Sequence, residues 1–385
     1  MHLEGGMRAV ILGCGFAGLS VASALSAKSR GVEILMIDRR ERFEYLPSLP
    51  EILSGKVSTD EITGSLRKFA TKIGAEFLQR EVKSVDLKAK EVVARNLKSS
   101  SEERIPYDFL VVAVGAELAF FGIQGAEEHA LSVYSLDATL KTRKRLEEAV
   151  QKEGVKCVVV GAGLTGVEVA GELVDFFSGR GCEASRVLLV EMAQRILPAF
   201  PEKVSARIER VLRRRGVEIL TGNAVQSVSE REIELLALKE KAGQKIHYDI
   251  LIWTAGLKPN RISANFPAEA KAKGGWLKAD AFLRLKGYKD VFVAGDIAHF
   301  ANSEISGKNV EEAERQGRTV AENIMRSIKG SELRHYSPKN TVQKPRALIS
   351  LGNGRAIAYF SGIMLETFAY RFKKHIERKY MRKFK

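Results

Sequence analysis

Apolar residues along this chain come in short runs that switch between two periods. RAVIL (Arg8 to Leu12) is apolar after its first residue, as in a buried strand, and a glycine-rich turn follows it. Leu19, Ala22 and Leu25 then recur at the spacing of one helix face, and VEILMID returns to a buried-strand run ending in Asp38. The same order comes back mid-chain: VKCVVV, a glycine-rich turn, a helical run from Val167 to Leu173, and VLLVE ending in Glu191. Two further runs, YDFLVVAVG (Tyr107 to Gly115) and YDILIWTAG (Tyr248 to Gly256), repeat each other and read as buried strands closing on glycine turns. This alternation predicts an α/β fold with doubly wound sheets, built twice.

The last part of the chain has another pattern. HYSPKNTVQKPRALISLGNGRAIAYFSG predicts two short strands separated by the turn GNG. IMLETFAYRFKKHIERKYMRKFK has no Gly or Pro and reads as a helix. Leu365, Phe368, Ala369, Phe372, Ile376, Tyr380 and Phe384 form its apolar stripe, and from Arg371 to Lys385 there are eight Lys or Arg against the single acid Glu377. An apolar stripe beside a cationic face predicts a helix lying on an anionic membrane surface, or packed in a homodimer, rather than a nucleic-acid contact. The basic run Arg213 to Arg215 ends a helix before Gly216 and reads as structural.

The glycine turns carry the chemistry. In the first, Gly13 permits the sharp turn, Gly15 lets backbone approach a pyrophosphate, and Gly18 lets helix and strand pack closely. The helix N-terminus then offers free N–H groups to the phosphates. Asp38, about twenty residues past the glycines, stands where it can accept from a ribose hydroxyl. Gly161, Gly163, Gly166 and Glu191 repeat the set. Two such modules predict two dinucleotides, a tightly held flavin and an exchangeable nicotinamide. Glu191 favours NADH over NADPH, because a carboxylate repels a 2′-phosphate, although Arg195 lies nearby.

Composition narrows the setting. The net charge of +15 favours an anionic partner. No apolar run reaches the roughly twenty residues needed to span a bilayer. The opening MHLEGGMRAV is too short and polar for a signal peptide, and Met7 is a candidate start after a six-residue leader. Cys14, Cys157 and Cys182 form no CxxC, and no HExxH occurs, so neither a disulfide framework nor a metal site is indicated and a reducing cytoplasm is expected.

With these motifs in order, and with VFVAGD (Val291 to Asp296) after them, residues 7–330 resemble the flavoproteins with two Rossmann-like domains, the pyridine-nucleotide-disulfide-reductase-like family. ILGCGFAGLS, DRRERFEYLPSLPEIL, VEMAQRILPAF and AERQGRTVAENI look most like its type II NADH dehydrogenases. The resemblance implies an FAD domain (7–118 and 266–330), a connecting segment (119–150), an inserted NADH domain (151–265) and a C-terminal region (331–385). On the FAD side it implies Gly13, Cys14, Gly15, Phe16, Ala17 and Gly18, then Asp38 and Arg39, with Leu46 and Pro47 along the flavin ring. Val82 would meet the adenine through its backbone, Ala113 and Gly115 would close the next strand, and Gly295 and Asp296 would bond the ribityl chain. Val310 and Glu311 would lie at the flavin's O2 edge. On the NADH side stand Gly161, Gly163, Leu164, Thr165, Gly166, Glu191, Ala255 and Gly256, with Glu168 near the nicotinamide. Glu168 and Pro47 are the candidate catalytic positions.

The activity so implied is hydride transfer from NADH to FAD, then two electrons to a quinone or another small acceptor. The place so implied is the inner face of the cell membrane, as a peripheral protein. One departure bears on the acceptor. The subgroup's AQxAxQQG reads VEEAERQG here (Val310 to Gly317), with Glu311 and Arg315 in place of two glutamines. They either alter the acceptor contact or form an i,i+4 ion pair on a solvated face. Alternatives are reduction of an iron–sulfur carrier, an NADH-sensing flavoprotein, or a sulfide-oxidising relative. Residues 39–60 hold no cysteine and none follows Cys182, which disfavours thiol relays and sulfide oxidation.

Overall fold

The computed structural model describes residues 6–28, 31–300 and 306–385. Residues 1–5 of the expected six-residue leader lie outside them.

The duplicated pattern folds as two copies of one plan. In the first, the strands Val291–Val293, Phe109–Val112, Met7–Leu12, Val32–Asp38 and Glu76–Asp86 run parallel in that order. Glu91–Asn96 and Glu102–Pro106 extend the sheet as an antiparallel meander. In the second, Ile250–Trp253, Lys156–Val160, Arg186–Val190 and Val217–Leu220 are parallel, and Asn223–Val228, Glu232–Ala237 and Ala242–His247 form the meander as a separate sheet. The central parallel strands are buried on both faces, which is why their sequences are runs of Val, Ile and Leu without alternation.

The repeated Tyr-Asp pairs set the strand register. Asp108 accepts from the Arg8 amide at 2.7 Å, and Asp249 accepts from the Lys156 amide at 2.9 Å. Each aspartate clips the start of the nucleotide-side strand to its neighbour. The meanders match as well. Each has a register shift at the same point, between Val82 and Ser84 and between Val225 and Ser227, where the sequence reads VKSV and then VQSV.

A short antiparallel ladder joins the two units. Ala116–Leu118 pairs with Leu257–Pro259, so the segments that follow the buried strands Phe109–Val112 and Ile250–Trp253, one from each sheet, are stapled together just past their carboxyl ends. Ligands of doubly wound sheets bind at those ends.

The C-terminal region differs in part from its sequence pattern. Strands Ala347–Ser350 and Ala356–Phe360 flank the GNG turn as expected. A third strand, Ile363–Leu365, occupies what reads as the start of the helix. The backbone turns back at Ser361 and Gly362, and Phe368 takes a left-handed conformation, so the helix spans only Ala369–Met381. The apolar stripe therefore divides. Tyr380 packs against Phe16, Phe43 and Tyr45, and the Phe384 ring stacks on Phe43 at 4.9 Å. Gly64 leaves the room for Phe384, since a Cβ there would sit 2.3 Å from that ring. Leu365, Phe368, Phe372 and Ile376 remain exposed. No helix among the described residues is long and apolar enough to cross a membrane.

Candidate active site

Each glycine fingerprint has the same local build. Gly13 (φ +90°) and Gly161 (φ +94°) need glycine for conformation and for space. A Cβ on Gly13 would lie 2.4 Å from the Ala113 carbonyl, and one on Gly161 would lie 2.9 Å from Ala255. Gly18 and Gly166 press their helices onto the turn, where a Cβ would come within 1.9 Å of the Gly13 carbonyl and 1.8 Å of the Gly161 carbonyl. Gly15 and Gly163 are different, because a Cβ there meets nothing within 4 Å. Glycine at these middle positions is not demanded by the protein's own packing. It keeps open the face along which a pyrophosphate would run.

The acids close each turn in the same way. Asp38 accepts from the Cys14 amide at 2.8 Å and the Arg40 amide at 2.9 Å. Glu191 accepts from the Ala162 amide at 2.7 Å and the Ala193 amide at 2.8 Å. A carboxylate has about four acceptor sites, so each acid retains capacity for a ribose hydroxyl. Arg39 is exposed, and its carbonyl accepts from Gln79 at 3.2 Å. Arg195 turns away from Glu191, giving its guanidinium to the Phe200 and Pro198 carbonyls and to Ser205.

Ala17 joins three pieces of the first site. A Cβ on Gly295 would lie 3.2 Å from the Ala17 side chain, and one on Gly317 would lie 2.5 Å from its carbonyl. The first fingerprint, the VFVAGD turn and the helix Val310–Ile328 thus meet at one point. Gln316 adds a link, accepting from the Gly295 amide at 2.6 Å. Asp296 follows, and desolvation raises its carboxyl above the ordinary range, with Lys308 opposing. Gly115 has open space before it, and the Val82 bulge lies on the sheet's meander side. Leu46 and Pro47 form a single 3₁₀ turn, with Leu46 exposed. In the second site Leu164 and Thr165 are exposed at the helix start, and the Phe121 ring covers Gly256.

The first turn of Val310–Ile328 does not carry the alternative i,i+4 pair. Glu311 bonds Arg346 at 2.7 Å, and Arg315 approaches Glu312 at 3.6 Å and donates to the Ser337 carbonyl. The arginine before strand Ala347–Ser350 reaches Glu311, and Arg315 approaches Glu312 three positions back on its own helix.

Glu168 lies on the second fingerprint helix, Leu164–Ser178, and is buried. It accepts from the Ser350 amide at 2.9 Å and from Lys373 at 2.7 Å. Burial raises its carboxyl and Lys373 opposes the rise. Lys373 also lies 3.4 Å from Glu51, and Lys374 lies 3.2 Å from Glu51 and 2.6 Å from Glu377. Lys56, Glu172, Asp175 and Arg215 continue the network. Here the cationic-face reading of the last helix needs correction. Lys373, Lys374 and Glu377 point into the protein, because two buried carboxylates on other elements, Glu51 and Glu168, draw in the lysines, and Glu377 pairs with Lys374. The i,i+4 spacing of Glu168 and Glu172 was the available signal for this network, since it puts two acids on one face of an apolar helix.

Cys14 and Cys157 do not suit a thiol relay. Cys14 and Cys157 are fully buried, and desolvation first, then Asp38 and Asp249 respectively, push their thiols up. Among the described residues no His, Cys, Asp and Glu cluster could hold a metal ion.

The pyridine nucleotide-disulphide oxidoreductase family matches residues 7–317. The chain belongs to that family. Among its curated relatives, an external alternative NAD(P)H-ubiquinone oxidoreductase B3 of Arabidopsis thaliana is 29% identical over 76% of this chain and 54% of its own length. The chain thus spans about half the length of the plant relatives it matches. The type II NADH:quinone oxidoreductase NdhA of Mycobacterium tuberculosis is 27% identical, over 92% of this chain and 81% of the relative. Among solved structures, NDH2 from Plasmodium falciparum in complex with NADH superposes with a TM-score of 0.87, at 20% identity, over 99% of this chain and 95% of that one. The sulfide:quinone oxidoreductase of Aquifex aeolicus gives 0.86 at 19% identity, over 98% and 91%. At these identities the two structures speak for the fold alone.

Proposed function

We propose that this family member is an FAD-dependent NADH dehydrogenase that passes hydride from NADH to FAD and then two electrons to a quinone-type acceptor. The observation that carries this reading is the pair of open glycine cradles joined at their strand ends by the 116–118 and 257–259 ladder. Its relatives, named NAD(P)H-ubiquinone and NADH:quinone oxidoreductases, support the choice of acceptor. In this reading residues 7–118 and 266–330 carry FAD, residues 151–265 carry NADH, and residues 331–385 close the acceptor side.

The residues present fit an FAD in the first module. Gly15 leaves a path for the pyrophosphate, Asp38 has free acceptor sites, and among the described residues the Asp296 carboxylate accepts no hydrogen bond of its own. A bound flavin supplies the chemistry, taking a hydride from nicotinamide and giving up two electrons to an acceptor. The chain supplies position and charge. Gly163 and Glu191 hold the NADH pyrophosphate and ribose. Glu191 together with the occupied Arg195 disfavours a 2′-phosphate, so NADH is the donor. Two donors fix Glu168, which keeps its remaining lone pairs in a set direction for a substrate amide. Leu46 and Pro47 provide an apolar wall that excludes water.

An anionic membrane surface is the second partner. Exposed Ile363, Leu365, Phe368, Phe372 and Ile376 form an apolar ridge beside exposed Arg371, Arg378 and Lys379. That arrangement suits a leaflet from which a quinone is drawn. To test the whole reading, purified protein is mixed with NADH without oxygen and then with a quinone analogue. The flavin absorbance should bleach and then recover. Protein that takes up no flavin ends the reading, and bleaching without recovery removes the quinone.

A further inference from the structure

Lys308 stands just before the helix Val310–Ile328, in the segment that leads from the Asp296 turn. The exposed residue reaches inward, and its ammonium donates to the Asp296 main-chain carbonyl and lies 3.1 Å from the centre of the Trp276 ring. The backbone around it is anchored. The Gly307 amide donates to the Asn340 carbonyl at 2.8 Å, the Asn309 amide to the Gly307 carbonyl at 3.0 Å, and the Asn309 side chain accepts from the Glu312 amide at 3.0 Å. Although the residue as a whole is exposed, its head is partly desolvated, which pulls the ammonium down to about 8, with Asp296 opposing.

Among the described residues, the two acids that open this helix have other partners. Glu311 is taken by Arg346 and Asn340. Glu312 is fully buried and bonded by Tyr336 and by the Lys339 and Asn340 amides. The two acids of the first helical turn are therefore committed on the side of residues 336–346, and Lys308 faces Asp296 across from them. Neither acid bonds it, and the Asp296 carboxylate is the acid whose charge acts on it.

Resting on the reading that FAD occupies the first module, we infer that Lys308 is the cation that stabilises negative charge on the bound flavin and so sets its reduction potential. Hydride transfer gives the flavin two electrons and one proton, and the surplus negative charge resides on its pyrimidine ring. An ammonium held at Asp296 lowers the energy of that reduced form relative to the oxidised one. The interaction is worth more in a partly desolvated cleft than in water.

The test compares wild type with Lys308→Met, Lys308→Gln and Lys308→Arg, all loaded with FAD. Sulfite adds to N5 of oxidised flavin and creates the same negative charge with no electron donor, so its dissociation constant reads the charge without turnover. Dye-equilibrated reduction gives the midpoint potential as a second readout. The neutral variants should lower the two-electron reduction equilibrium about tenfold, a fall of about 30 mV, and weaken sulfite binding in the same sense. Lys308→Arg should restore both. Neutral variants that keep FAD with wild-type potential overturn the inference. Neutral variants that only shed FAD also overturn it, because Lys308 is then a clasp for the turn. Wild-type protein that binds no FAD overturns instead the reading on which the inference rests.

Discussion

Lys373, on the last helix, donates to Glu168, on the second fingerprint helix, at 2.7 Å across 205 positions of sequence. Both are buried, and Glu51 lies 3.4 Å from the same ammonium. Lys373→Met leaves the buried Glu168 without its cation and Glu51 with Lys374 alone, and should destabilise the fold by about 3–5 kcal/mol. Adding Glu168→Gln removes the stranded charge, so the double variant should be more stable than Lys373→Met alone. Urea unfolding of the four proteins gives the cycle. Independent, additive losses would show that the two residues do not interact.

A second junction predicts a pH effect. Asp175 accepts from Lys56, Arg215 and the Asn353 amide. Burial pushes its carboxyl up, but these donors outweigh burial and hold it below the usual range. A carboxyl lowered in the folded state adds stability that is complete above the unfolded pKa, near 4, and is lost as pH falls through the folded value. Asp175→Asn should therefore cost about 2 kcal/mol at pH 7, and the gap to wild type should shrink as the pH drops below about 4. A gap that is constant with pH would assign the loss to packing rather than to charge.

The three glycines of the first fingerprint should separate folding from binding. Gly15→Ala adds a methyl where nothing lies within 4 Å, so the protein should fold with the thermal stability of flavin-free wild type yet lose most of its flavin. Gly18→Ala drives a Cβ to 1.9 Å from the Gly13 carbonyl and should fail to fold. Circular dichroism melts and the flavin-to-protein absorbance ratio distinguish the two. A stable Gly15→Ala protein with full flavin would mean that no phosphate passes there.

What was legible in the chain was local and repeated. The two strand–turn–helix units, the acids at the next strand ends and the repeated Tyr-Asp runs lie within single motifs, where backbone demands dictate residue type, whereas the clips that Asp108 and Asp249 make reach 100 and 93 positions back along the chain. The matched bulges at VKSV and VQSV were not read from the sequence, although it repeats the pattern. The charge network was not. Lys373 looks like any other cation in a basic helix until Glu51 and Glu168, from two other elements, are brought against it. The third C-terminal strand escaped for a related reason. Ile363 to Leu365 fits a helical stripe, and only pairing with Ala358 to Phe360 makes it a strand.

The exposed ridge on the last helix gives the final prediction. Phe372 and Ile376 are one turn apart and point away from the buried face of Ala369, Lys373, Glu377 and Tyr380. Leu365 and Phe368 extend the ridge, and Arg371, Arg378 and Lys379 are exposed around it. Burying such side chains in a bilayer interface contributes about 1.5–3 kcal/mol each at full burial, and each nearby cation adds about 1 kcal/mol on an anionic leaflet. Phe372→Asp with Ile376→Asp should reduce binding to vesicles rich in anionic lipid by at least tenfold in a sedimentation assay. The pair lies outside the packed core, so NADH-driven reduction of a water-soluble acceptor should stay near wild type. Binding to vesicles should also fall steeply with salt, because the cations act through a screened field. Undiminished sedimentation of the double variant would assign the ridge to a protein contact, and a second copy of the chain would then be sought by its mass in solution.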